Sequence, residues 1–253
     1  MNEYTEIAEF YDEWSKGDPA AQECIDFYVD MCYNENDIVE LGVGTGRIAI
    51  EIAKKGKKIT GIDICQEMLD KFYEKSIIWN IQDKINIICS DVKNFKLNNK
   101  ANLITFPFRS IGHLLSLDEK EVLLKNVYLQ LSDGGQFVFD HYIFNKSWAD
   151  QYNNISRLMY FYEYEGVYNY IWDTYNYNYK YQLMNCFVTI EKSNQKGVIF
   201  FKKIIPFKFS WIYPEQVENL IHKTGFKVID VYGDFKGNPL TSSSDNQIWI
   251  LQK

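Results

Sequence analysis

A chain of 253 residues with 46% hydrophobic content can bury one sizeable core, and it contains neither an 18-residue apolar run nor a basic-then-apolar leader, which points to a cytoplasmic globular protein with no membrane span. A formal charge of -7 without a basic stripe argues against nucleic acid as the partner. Five scattered cysteines with no C-x-x-C pair, beside only 3 histidines, argue against a metal centre or a disulfide framework.

From Ile38 to Asp140 short apolar runs alternate with segments of helical period. The order is a strand in "IVEL", a helix from Thr45 to about Lys54, a strand in "KITGID", and a helix from Gln66 to about Trp79. Strands in "INIIC" and "NLITF", a helix in "DEKEVLLKNVYLQL" and a strand in "QFVFD" follow. Such alternation predicts a parallel sheet covered by helices. Asp118 suits the N-cap of the last helix, and "SDGG" (132–135) supplies its glycine stop.

Between about Trp148 and Trp211 helical period gives way to long alternating strands, as in "VYNYIWDTYNYNYKYQLMNCFVTIEK" and "GVIFFKKIIPFKFSW". An antiparallel insertion is expected, with tight turns near Asn178 and across "SNQKG" (193–197). Tyr168, Tyr170 and Trp172 share one face of a strand, while Tyr175, Tyr177, Tyr179 and Tyr181 share the other parity. The change at Asp173 and Thr174 predicts a bulge or twist. Thirteen aromatics between Trp148 and Tyr181 give this sheet three candidate partners: a ligand pocket, a second copy in a homodimer, or its own neighbours. Helical spacing returns in "YPEQVENLIHKTGF", with Pro214 in the first turn and Gly225 as the stop. "KVIDVYG" and "NQIWILQK" give two last strands around the polar loop "DFKGNPLTSSSD".

The first strand feeds "GVGTG" (42–46), three glycines at alternate positions opening a helix. A strand, a glycine-rich turn and a helix together form a nucleotide site, because backbone N–H groups and the positive helix end face the sheet's carboxyl edge. A dinucleotide fingerprint would need a small residue at 47, where Arg47 stands, so a nicotinamide-dependent oxidoreductase is disfavoured. No G-K-[ST] follows, which excludes a P-loop.

Four motifs in register resemble the class I S-adenosylmethionine-dependent methyltransferases: "VELGVGTGR" (39–47), "GIDIC" (61–65), "CSDVKNF" (89–95), and "NLITFPFRSIGHL" with "LSDGGQFVFD". The resemblance covers nearly all of residues 36–140 and resumes at 211–253. It implies an α/β fold with a Rossmann-like seven-stranded, mostly parallel sheet and an antiparallel β insertion after strand five. Residues 1–35 would form an N-terminal helical cover, 36–147 with 211–253 the S-adenosylmethionine-binding domain, and 148–210 the insertion, as acceptor roof or dimer contact.

By the same resemblance Glu40 lies near the cofactor's amino-acid end, Gly42, Gly44 and Gly46 pass beneath the methionine portion and ribose, and Asp63 accepts from the ribose hydroxyls. Asp91 meets the adenine amino group, Ile64 and Val92 flank the ring, Phe106 at the end of strand four adds a cofactor contact, and Tyr11 in "EFYDEWSKGD" approaches the methionine end.

Acceptor groups should stand at the carboxyl edge of the sheet. Arg109, Ser110, His113, Tyr142 and, from the insertion, Trp172 are the candidates. His141, just past strand five, is the candidate general base. In-line methyl transfer works by alignment, so a base is not obligatory. The insertion and the last strand pair resemble the small-molecule branch of the family, including N-methyltransferases of amino sugars. The acceptor is expected to be an amine or hydroxyl of a small, sugar-like metabolite, with no metal required. The other reading left open is a non-catalytic S-adenosylmethionine-binding regulator or partner subunit.

Overall fold

The computed structural model describes residues 4–18 and 20–253. Two helices, α1 (Tyr11–Ser15) and α2 (Ala21–Met31), precede an alternating series: β1 (Asp37–Leu41), α3 (Arg47–Lys54), β2 (Lys58–Asp63), α4 (Gln66–Ile78), β3 (Ile85–Cys89), β4 (Ala101–Phe106), α5 (Leu117–Gln130) and β5 (Leu131–Tyr142). A 3-10 turn at Ser110–His113 lies between β4 and α5. Then come α6 (Lys146–Tyr152), four strands β6 (Ser156–Tyr164), β7 (Val167–Asn178), β8 (Leu183–Asn194) and β9 (Ile199–Ser210), and finally α7 (Pro214–Thr224), β10 (Lys227–Tyr232) and β11 (Asn246–Gln252).

The main sheet has the order β3-β2-β1-β4-β5-β11-β10, parallel except for β11, which runs against both of its neighbours. This is the expected Rossmann-like arrangement. Chain order reverses beside β1, whose neighbours are β2 and β4, and a crevice opens outside the carboxyl ends of the strands at such a point. One face is covered by α5 and α7, with Leu123, Leu124, Val127, Val217, Leu220 and Ile221 packed on Leu41, Ile104 and Phe137. The other is covered by α2 and α3, with Tyr28, Ile48, Ile52 and Ala53 on Ile38, Leu103 and Val138.

The insertion forms a second, four-stranded antiparallel sheet in the order β6-β7-β8-β9. Its inner face does not pack on the main sheet. Ile171, Cys186, Val188, Ile190, Ile205 and Phe207 enclose Ile7, Ala8 and Phe10 of the N-terminal segment and reach Cys65 and Met68 at the start of α4. The N-terminal segment is therefore held between the insertion and the start of α4. The expected boundaries of the insertion, 148 and 210, fall inside α6, which spans Lys146–Tyr152, and at Ser210, the last residue of β9. Within the expected 1–35 cover, residues 1–3 and 19 lie outside the described residues. No helix among the described residues is long and apolar enough to cross a membrane.

Local expectations differ from the structure in four places. Ser116, not Asp118, caps α5, because its hydroxyl reaches the Glu119 N–H at 3.2 Å. "SDGG" belongs to β5 itself, and α5 ends without a glycine as Leu131 turns extended. The strand β6 and the short helix α6 add to the strands quoted from sequence. The irregularity expected at Asp173 and Thr174 lies instead on β6, between Leu158 and Tyr160, and β7 pairs with β8 in unbroken register.

Lys120 of α5 is 1% exposed. Its ammonium donates to the Leu114 carbonyl and to Ser210 Oγ (2.6 Å), tying α5 to the post-β4 turn and the end of β9. Burial holds its pKa down at about 8, from an ordinary 10.5. Below about pH 8 the folded chain therefore carries a desolvated charge, and between about 8 and 10.5 the unfolded chain binds more protons, so stability rises with pH. Lys120→Met should be no less stable than the wild type at pH 7, since Ser210 Oγ still reaches the Leu114 carbonyl. The wild type should then gain about 3 kcal/mol on the variant as the pH is raised across that window. Urea unfolding at pH 7 and pH 10 measures this, and an unchanging difference would refute the desolvated ammonium.

Candidate active site

The turn after β1 adopts φ values of +61° at Gly42 and +81° at Gly46. A Cβ on Gly46 would stand 2.0 Å from the Phe72 ring, and one on Gly42 would stand 3.0 Å from the Phe106 ring, so both positions require glycine for conformation and for space. Asp63, at the end of β2, pins this turn: Gly44 N–H donates to Oδ2 and Cys65 N–H to Oδ1, each at 2.9 Å. Burial raises the Asp63 pKa, and the same backbone donors oppose the shift.

Beneath the turn, Glu40 is 2% exposed and its Oε2 has no hydrogen-bond partner. Burial pushes its pKa up to about 8, with Arg47 pulling it down and Asp63 adding to the rise. Arg47, the first residue of α3, has neither Nη1 nor Nη2 hydrogen-bonded, and its guanidinium lies 4.2 Å from the centre of the Phe108 ring and 5.8 Å from that of Tyr11. A carboxyl group and a guanidinium thus face one recess, each with unsatisfied hydrogen-bonding capacity. In the sequence Arg47 serves only to disfavour an oxidoreductase; its position directly after the third glycine is the signal that could have marked it as a site residue.

The recess opens into a cavity of about 1590 Å³ whose walls include Gly42, Gly44, Asp63, Ile64, Asp91, Val92 and Phe106. Tyr11 belongs to the same wall, and its ring is 3.9 Å from where a Cβ on Gly44 would be. Asp91 accepts from Lys93 N–H at 2.8 Å, with the Lys93 ammonium 3.6 Å away. Of the cofactor positions expected from sequence, Glu40 and Gly46 lie behind the main cavity: Glu40 lines the adjoining recess and Gly46 caps α3.

The far side of the cavity is set by Asp140 of β5, which in the sequence marks only a strand end. Fully buried, it accepts from Tyr28 O–H (2.8 Å), Phe108 N–H (2.7 Å) and Arg109 N–H (2.9 Å). Phe108 and Arg109 are left-handed, with φ of 60° and 62°, an arrangement that costs energy in residues with side chains and persists because Asp140 holds both N–H groups. Phe108 is thereby fixed under Arg47, and Arg109 is turned to Asp18, its Nη1 2.7 Å from Oδ2.

His113, His141 and Tyr142 also line the cavity. His113 Nε2 is 2.6 Å from the Tyr4 hydroxyl, and burial, aided by Lys120, brings its pKa down to about 4. His141 is 1% exposed; burial first, then the Lys120 and Arg109 charges, lower its pKa well below the ordinary range, against a smaller opposing effect of the Ser210 backbone. The Tyr142 hydroxyl is buried without a partner.

Trp172 is not brought to the cavity, which corrects its expected acceptor role. Because β7 runs in unbroken register, Trp172 shares the outer face with Tyr170, their rings 6.4 Å apart. The opposite parity, Asp173, Tyr175 and Tyr177, lines the cavity instead.

Residues 38–135 match the family model described as a methyltransferase domain. A carboxy-S-adenosyl-L-methionine synthase from Shewanella halifaxensis is 26% identical over 113 residues, 43% of this chain and 45% of that protein, so the match spans under half of that curated relative. Among solved structures, the CcbJ methyltransferase of Streptomyces caelestis has a TM-score of 0.79 at 21% identity, covering 97% of this chain and 95% of that one. An amino pentose methyltransferase from Micromonospora echinaspora, solved with S-adenosylmethionine bound, has a TM-score of 0.72 at 13% identity, covering 96% and 95%. These structural likenesses extend across the insertion and carry the fold.

Asp140→Asn should cost about 1 to 3 kcal/mol, because an amide cannot accept from all three donors and sets one N–H against another. Denaturant unfolding gives the cost, and amide hydrogen exchange should show faster exchange at Phe108 or Arg109. Unchanged protection at both residues would contradict the positioning role.

Proposed function

We propose, from the methyltransferase domain matched over residues 38–135, that the chain is a class I S-adenosylmethionine-dependent methyltransferase that transfers a methyl group to an amine or hydroxyl of a small, sugar-like acceptor. The observation that carries the reading is the unsatisfied carboxyl and guanidinium beside the glycine turn, Glu40 Oε2 with Arg47 Nη1 and Nη2. Buried polar atoms without partners are uncommon and call for an explanation. A ligand ending in an ammonium and a carboxylate, as the methionine portion does, meets both.

The remaining walls fit the rest of S-adenosylmethionine. Each Asp63 oxygen accepts one backbone N–H and keeps a further acceptor direction for a ribose hydroxyl. Ile64, 56% exposed at the rim, and Val92 offer apolar faces to an adenine ring, with Asp91 beside them for its amino group. When bound, S-adenosylmethionine supplies an electrophilic methyl group on a sulfonium. Around it Tyr11 and Phe106 exclude water, and Arg109, His113, Tyr142 and the inner face of β7 line the acceptor's side of the cavity. The cavity exceeds the volume of a drug-sized site, enough for two ligands together. The structural likeness to an amino pentose methyltransferase supports a sugar-like acceptor.

Calorimetry tests the cofactor assignment. S-adenosylmethionine should bind the wild type, and Asp63→Ala should weaken binding by roughly 2 to 4 kcal/mol for two charge-assisted hydrogen bonds. Absence of binding to the wild type at high excess would end the reading.

His141 serves in this proposal as a neutral hydrogen-bonding wall, since an imidazole whose proton affinity is so suppressed is a poor base near pH 7. His141→Gln should accordingly keep turnover within about tenfold of the wild type, below the usual effect of losing a general base. A loss of a hundredfold or more would restore the base assignment.

A further inference from the structure

We propose that Asp173 recognises the acceptor and that the group it binds is the acceptor's amine. The inference rests on the methyl-transfer reading and narrows its acceptor from amine or hydroxyl to amine.

Asp173 is 2% exposed, yet it lines the cavity. Its carboxylate is oriented by two neutral donors, Trp14 Nε1–H to Oδ1 at 3.0 Å and Tyr175 O–H to Oδ2 at 2.8 Å. These hold the carboxylate without neutralising it, and each oxygen retains an acceptor direction. The β6–β7 register places Arg157 directly opposite, the relation in which unlike charges on neighbouring strands ordinarily pair. The two do not form an ion pair. The guanidinium is drawn to the rings of Trp148 (4.7 Å) and Tyr152 (5.0 Å), and its Nε is buried without a hydrogen-bond partner. Arg157 lines the same cavity, its guanidinium 5.9 Å from the Tyr175 ring, and its charge acts on Asp173 at a distance without pairing with it, so the buried carboxylate faces the cavity with no ion pair among the described residues.

Such a site selects by charge. An alcohol offers one weak donor and leaves the buried carboxylate unneutralised, whereas an ammonium supplies both donors and the opposite charge. Trp14, Tyr175 and Tyr177 line the same part of the cavity, and their π faces favour a cation over a neutral group. The site is also linked to the cofactor turn: the Trp14 ring lies 5.9 Å from Tyr11, which covers Gly44.

The test uses a matched pair of probes, cyclohexylamine and cyclohexanol, titrated by calorimetry into the full chain loaded with S-adenosylhomocysteine, the demethylated cofactor product. In the wild type the amine should bind about 10- to 100-fold more tightly than the alcohol. In Asp173→Asn the amide oxygen still accepts from Trp14 and the amide nitrogen can donate to the Tyr175 oxygen, so only the charge is lost. The preference should then fall to near parity, with Tm and S-adenosylhomocysteine affinity unchanged. Equal binding of the two probes to the wild type, no binding of the amine, or a preference that survives in Asp173→Asn would overturn the inference. Should the variant fail to fold, the wild-type preference decides alone. S-adenosylhomocysteine is titrated first, so its failure to bind would sink the methyl-transfer reading, whereas normal binding without an amine preference would sink only this proposal.

Discussion

The hydrogen bonds from Gly44 N–H and Cys65 N–H to the Asp63 carboxylate join the ends of β1 and β2, and the site depends on the turn they fix. With that turn in place, Gly42 lies against Phe106, Gly46 against Phe72, and Arg47 begins α3 with its guanidinium over Phe108. Four ionisable groups, Glu40, Asp63, Arg47 and Asp140, then crowd one end of the sheet in apolar surroundings. Burying a charge is costly unless it is paired or hydrogen-bonded. Asp63 and Asp140 meet that cost with backbone and hydroxyl donors, whereas Glu40 and Arg47 do not. The difference divides the cluster into groups that build the site and groups left for a ligand.

The covering of the cavity follows from where the N-terminal segment packs. Ile7, Ala8 and Phe10 are enclosed by the inner face of the second sheet, while Tyr11 and Trp14 face the cavity. Ion pairs from Asp12 to Lys75 and from Asp18 to Arg109, each at 2.7 Å, tie the segment to the main sheet's helices and loops. Partly exposed pairs contribute little individually. Burial of the three apolar side chains stabilises the segment more than the ion pairs do, so the N-terminal segment and the second sheet form one packed unit. Lys120 and Ser210 make a second joint at the opposite end, between β9 and the post-β4 turn.

The β/α alternation, the glycine turn and the acidic residues at the ends of β2 and after β3 were legible because each depends on local spacing. Long-range relations were not. Asp140 ended a well-marked strand, but its role is made by Tyr28, 112 residues away in sequence, and by two left-handed residues that no propensity marks. Trp172 and Asp173 differ by one position, and in a strand one position is a change of face. Trp172 therefore takes the face away from the cavity and Asp173 the face that lines it. At α5, Asp118 and Ser116 are both good caps by composition, and only the reach of the Ser116 hydroxyl to the Glu119 N–H decides between them. His141, expected just past strand five, lies inside β5 paired with Gln247 of β11, and neither that extension of the strand nor the burial that sets its basicity was readable from local spacing.

Proton handling in the cavity is constrained by the same burial. His113 is held down to about 4 and His141 lies well below its ordinary range, so both imidazoles are neutral across the physiological interval. Two groups have their proton affinity brought near neutrality, each at about 8: Glu40, which belongs to the recess behind the glycine turn, and Lys120, which is bound to the Leu114 carbonyl and Ser210. On the proposed reading, a proton released on methyl transfer has no imidazole poised to take it near pH 7. The acceleration must then come chiefly from holding acceptor and methyl donor in line, a contribution that can reach about 7 to 11 kcal/mol when geometry is well fixed. That requirement accounts for a site built from pinned turns and hydrogen-bonded carboxylates instead of a catalytic dyad. Asp63, Asp140 and Asp173 each sit at the end of a strand or within one, and each orients its surroundings through two or three donors. The rigidity that alignment demands is supplied by the strands themselves.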